Sequence, residues 1–182
     1  MSSAVLIGDF KKAESLEGGE LLMRLILPAH DFSLDWRRYS LVSNYVAEYS
    51  AYHFDQKDRA ENLISSVLYE LVEYLASSSR RESKIDIQFF SVKGWLLFEV
   101  AASIPPEEVS MLKEALTELQ QADLGEYYQE LLSSDLEMLS NKKKLGMAMI
   151  AHDYHAQISA LLDEQGGTAV LRTLVSEEEI YG

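Results

Sequence analysis

From Glu20 the chain reads Leu21-Leu22-Met23-Arg24-Leu25-Ile26-Leu27 and stops at Pro28. A short apolar run bounded by turn residues predicts a β-strand. Asp31 and Ser33 then offer caps ahead of a helix over about 35–53. On that helix Leu41, Tyr45, Tyr49 and Tyr52 fall on one stripe. Packing into the core is the expected role of such a stripe. A partner-binding or dimer face is the alternative, because amphipathic tyrosines favour interfaces.

A second helix is predicted over about 56–79, where Leu63, Val67, Leu71 and Leu75 recur every four residues and Ile64, Leu68 and Val72 widen the stripe. Two β-rich segments follow, 84–92 and 95–104, joined by Lys93-Gly94 as a tight hairpin turn. Pro105-Pro106 halts the second strand, and Pro106 suits the first turn of a helix. Helices are predicted over about 106–121 and 125–140, and a long amphipathic one over 144–164. Gln165-Gly166-Gly167 ends it, and 168–175 reads as a closing strand. This order predicts one α/β domain over 1–182, a two-layer sandwich with helices on one face of a mixed, mostly antiparallel sheet. Residues 1–19 stand as an N-terminal extension carrying the short apolar run Ala4-Val5-Leu6-Ile7, and 176–182 as an acidic tail.

Composition narrows the function. The formal charge of −14 makes nucleic acid a poor partner, and its bland meaning is solubility and selectivity among protein partners. The basic exceptions are Trp36-Arg37-Arg38, Arg80-Arg81 and Lys142-Lys143-Lys144. With no cysteine, thiolate chemistry and disulfides are excluded. No apolar run is long enough to span a bilayer and no signal pattern opens the chain, so a cytoplasmic location is expected.

Three places carry candidate chemistry. Glu70 and Tyr74 are four apart and project from one helix face. The strand Leu96-Leu97-Phe98-Glu99-Val100-Ala101-Ala102 runs out into Ser103-Ile104-Pro105-Pro106. Lys142-Lys143-Lys144-Leu145-Gly146 precedes the apolar run Met147-Ala148-Met149-Ile150. In this order the pieces resemble the nucleotide pocket of a histidine-kinase-like ATPase, the GHKL fold. Leu41–Tyr49 and Met147–Ala156 resemble the opening helix and the helix after the glycine lid in a small standalone regulator branch that includes SiaB-like kinases. Coverage runs from about residue 8 to 175.

The resemblance implies a role in switching a protein partner, with ATP-dependent serine or threonine phosphorylation in intact members. It also marks departures. Tyr74 stands where an Asn helps hold magnesium, and a neutral phenol is a poor ligand for that ion. Ala102 stands where an Asp or Asn meets the adenine amino group. Lys142 and Lys144 replace lid glycines that bring backbone N–H groups to phosphate. Only Glu70, Leu145 and Gly146 match. The site is therefore expected to be a vestigial nucleotide pocket of Glu70, Tyr74, Ala102, Lys142, Lys143, Lys144, Leu145 and Gly146. Tyr74 is expected to pack partly into the core, and the lysines to form a charged surface loop.

His152 and His155 lack a third ligand at recognisable spacing, so no metal is expected. No Gly-x-Ser-x-Gly nucleophile motif occurs. Glu70 and Glu73 read as ordinary helix charge. The expected role is a non-catalytic regulator acting on another signalling protein, as a homodimer, with no cofactor. The alternative is a divergent protein kinase using ATP and magnesium with Glu70 as base. A third is a pocket repurposed for another small molecule.

Overall fold

The computed structural model describes residues 4–10 and 19–182. Six strands form one sheet: β1 (Ala4–Ile7), β2 (Glu20–Pro28), β3 (Lys84–Val92), β4 (Trp95–Ser103), β5 (Gln157–Asp163) and β6 (Thr168–Ser176). Their order across the sheet is β1-β5-β6-β4-β3-β2, and every pairing is antiparallel. The helices are α1 (Ala29–Leu34), α2 (Arg37–Ala51), α3 (Lys57–Ser78), α4 (Pro106–Gln121), α5 (Leu124–Leu132), α6 (Leu139–Asp153) and α7 (Glu178–Tyr181).

The two-layer α/β arrangement expected from the element order is present. Alternation along the strands directs Ile85, Ile87 and Phe89 of β3, and Leu96, Phe98 and Val100 of β4, into one core beneath the helices. α3 crosses that layer with Leu63, Ile64, Val67, Leu68, Leu71, Val72 and Leu75 all buried, the stripe legible in its four-residue repeat. The opposite sheet face carries a smaller cluster of Val92, Leu97 and Leu174, and the ion pairs Arg24–Asp86 and Arg172–Glu99, each 2.6 Å. The Lys93-Gly94 hairpin has positive φ at both residues (46° and 85°), the geometry of a two-residue turn matched to strand twist.

Several boundaries differ from expectation, among them Asp31 and Ser33, which lie inside α1 where they were expected as caps of the next helix. The long helix of 144–164 is two elements: α6 ends at Asp153, His155 takes φ 48°, and β5 follows as a strand. The segment Gln157-Ile158-Ser159-Ala160-Leu161-Leu162-Asp163 satisfies either period, and pairing with β1 and β6 decides it. α5 begins with Asp123 accepting from the Glu126 N–H (3.0 Å) but stops at Leu132 instead of reaching 140. Within the expected N-terminal extension, Ala4–Ile7 is a strand and Phe10 is buried; residues 11–18 lie outside the described ones. The acidic tail docks as α7 through fully buried Ile180.

The largest correction concerns α2. Leu41, Tyr45, Tyr49 and Tyr52 do not pack into the core; they are 67%, 56%, 56% and 71% exposed. The buried face is the opposite one, made of Ser43, Val46, Ala47, Ser50 and Ala51 with Tyr39 at its start. Small side chains let α2 lie close along α3, since interaxial distance follows the side chains at the contact.

A candidate site closed by α6

The face of α3 that carries Glu70 and Tyr74 is covered by α6. Gly146 makes this possible. A Cβ built there would fall 1.9 Å from Glu70 Oε2 and 2.8 Å from its carboxyl carbon, so any larger residue would displace the Glu70 carboxyl from its present place against the α6 backbone. Burial, then the neighbouring Glu73 charge, push the Glu70 pKa up to about 7, with Lys142 acting the other way. Glu70 also lines a cavity of about 250 Å³ with Ser40, Asn44, Ser65, Ser66, Tyr69 and Met149. Pockets for small molecules are typically ~300–1,000 Å³, so this space suits a few waters better than a nucleotide.

The three lysines do not form a loop. They lie within α6, and each has a carboxylate partner. Lys142 Nζ sits 2.8 Å from Glu73, and Lys144 Nζ 2.6 Å from Glu118 on α4. Lys143 is 8% exposed; its ammonium donates to Ser78 Oγ (2.5 Å) and Glu108 Oε2 (3.2 Å). It also lies 5.2 Å from the centre of the Tyr74 ring, a cation–π distance. Tyr74 is 4% exposed, deeper than the partial packing expected, and burial raises its hydroxyl pKa above the ordinary tyrosine value.

Backbone geometry adds a second closure. Amides inside an α-helix donate to carbonyls four residues earlier. Because α6 starts at Leu139, the N–H groups of Lys143 through Gly146 are interior to it, and the Lys142 N–H already donates to the Met138 carbonyl (3.2 Å). A phosphate would find neither free amides nor uncompensated ammonium groups along this stretch.

Thus Glu70 meets Gly146, Tyr74 meets Lys143, and Glu73 meets Lys142. Ala102 stands apart in β4, buried between Ile85 and Ala169 in the sheet register. Leu145 is partly exposed. Ser78, Glu108 and Glu118 complete the arrangement and went unnoticed in the sequence. Their carboxylates and hydroxyl carry no motif, and only the packing of α3, α4 and α6 makes them partners. Larger openings of about 560 and 400 Å³ flank α4, but carboxylates outnumber lysines in both: Glu118 and Glu130 beside Lys144 in the first, Glu114, Glu118 and Glu164 beside Lys113 in the second. Acidic walls of this kind disfavour phosphate.

His152 contacts Asp153 (2.8 Å) and stacks on Tyr128, whereas His155 contacts Glu179 (2.9 Å). No helix among the described residues is long and apolar enough to cross a membrane. Compared with protein-family profiles the chain matches none, and no curated protein is significantly similar to it.

Proposed function

We propose that this protein is a non-catalytic signalling regulator of the histidine-kinase-like ATPase (GHKL) type, close to the standalone branch that includes SiaB-like kinases. It works in the cytoplasm through contacts with another signalling protein, as a homodimer and without a cofactor. The observation that carries this reading is the state of residues 142–146. Where a nucleotide-binding lid would offer free amides, this chain has a helix whose lysines are paired to Glu73, Glu108 and Glu118. Ala102 offers no acceptor for a base, and Tyr74 fills the position from which a metal ligand would project. Losing several such contacts, each worth about 1–3 kcal/mol, leaves little affinity for ATP.

The competing reading is a divergent ATP-dependent serine/threonine kinase. Glu70 favours it, because a carboxyl with a pKa near 7 is suited to general base work. Isothermal calorimetry with ATP and ADP, with and without Mg²⁺, separates the two. The regulator gives no binding heat and an unchanged melting temperature. Micromolar, magnesium-dependent binding that disappears in Glu70→Ala would replace it with the kinase.

A further inference from the structure

We infer that the outer face of α2 is a docking surface for a second copy of this chain, with the two α2 helices packed antiparallel; the inference rests on the homodimeric regulator proposed above. Leu41, Tyr45, Tyr49 and Tyr52 recur at helical spacing on one side of α2, and all four are more than half exposed. Together they present roughly 600 Å² of mostly apolar surface, the upper end of the largest patch on an ordinary monomer, which is often functional. A standard interface takes about 800 Å² from each partner, so the polar rim of the same helix would complete it.

Charge argues that the occupant is another copy. The chain carries a formal −14, so two copies repel over most of their surfaces. Over 35–53, however, the charges balance: Asp35 holds Arg37 at 2.8 Å, which leaves Arg38 near the start of the helix and Glu48 near its end. The apolar stripe lies between them. An antiparallel pairing centred on the level of Ser43 sets Leu41 of each copy opposite Tyr45 of the other. It also brings the Arg37–Arg38 end of one copy to Glu48 and Tyr49 of the other. Glu48 has no ion-pair partner within the chain among the described residues, while Arg38 holds Asp31 only at 3.5 Å. A parallel pairing would instead set the two copies of Arg38 against each other.

The first measurement is the mass of the full chain in solution by light scattering after gel filtration, at tens of micromolar. The expected value is twice the chain mass of 20.6 kDa. Tyr45→Glu with Tyr49→Glu should return the single-chain mass with an unchanged circular-dichroism spectrum, and the milder Tyr45→Ser with Tyr49→Ser should weaken association without adding charge. The chain has no cysteine, so register can be read by cross-linking. Leu41→Cys mixed with Tyr45→Cys should form the mixed disulfide faster than Leu41→Cys mixed with Tyr52→Cys. A chain that stays at 20.6 kDa overturns the inference and leaves the stripe to a different protein. A dimer that survives both double variants overturns it too, by placing the interface elsewhere. These results are independent of the nucleotide titration: a silent titration with a monomer removes the dimer and keeps the pocket reading, and nucleotide binding with an intact α2 dimer does the reverse.

Discussion

Two helices that lie against α3 treat it in opposite ways. α6 brings its charged and glycine positions to α3 and closes the face they share: Gly146 rests on Glu70, and Lys143 is buried among Tyr74, Ser78 and Glu108. Beyond Tyr39, which meets Tyr69 of α3 edge-on, α2 brings small residues and Val46 to α3 and keeps Tyr45 and Tyr49 on the outside. One region spends its polar chemistry internally. The other leaves apolar surface unspent. In a protein whose candidate site is shut, the unspent surface is the natural place to look for action on a partner.

Gly146→Val should break the closed region most severely. Its branched side chain would enter the volume of the Glu70 carboxyl, and overpacking of this kind costs about 1–3 kcal/mol. In a chain of this length that lowers the melting temperature by roughly 2–12 °C. Adding Glu70→Ala should recover part of the loss, as a double-mutant cycle by thermal melting would read out. If the second change recovers nothing, the contact is not what holds α6 in place.

A smaller effect comes from pH. The Glu70 carboxyl ionises near 4.5 when unfolded and near 7 when folded. Between those values the folded state keeps a proton that the unfolded state has released, so stability falls as pH rises through this window. It is fully present below about 4.5 and lost above about 7. Glu70→Gln, neutral throughout, should match wild type in acid and exceed it by roughly 2 kcal/mol at the alkaline end, given the side chain's partial solvent access. Melting curves of both proteins across that range test it, and parallel curves would mean Glu70 is as well solvated as an ordinary surface carboxylate.

The smallest stability effect is expected on α2. Tyr49→Ser should change the melting temperature of the single chain by an amount equivalent to less than ~0.5 kcal/mol, as for surface positions without special contacts. A larger loss, measured at concentrations where the chain is monomeric, would mean that Tyr49 is part of the core after all.

Much of the fold was legible. The four-residue repeat from Leu63 to Leu75 marked α3, the Lys93-Gly94 pair marked the hairpin, and Pro28 and Pro106 fell at the expected boundaries. The candidate site was legible only in part. Glu70, Gly146 and the lysines could be singled out, but the lysines were expected in a surface loop, and their carboxylate partners could not be found. Glu108 and Glu118 lie more than 20 residues from the lysines they meet, so no local pattern connects them.

What the sequence determined alone is what local periodicity and turn chemistry dictate: which segments are α3, β3, β4 and β6, and that they form two layers. Tertiary structure decided the rest. Strand or helix for 157–163 waited on whether β1 and β6 were there to pair with. The inward face of α2 was decided by size more than by hydrophobicity, because Ser43, Ala47, Ser50 and Ala51 permit a close approach to α3 that tyrosines would prevent. Sequence gives each helix its apolar positions; the distance to its neighbour chooses which of them go inside.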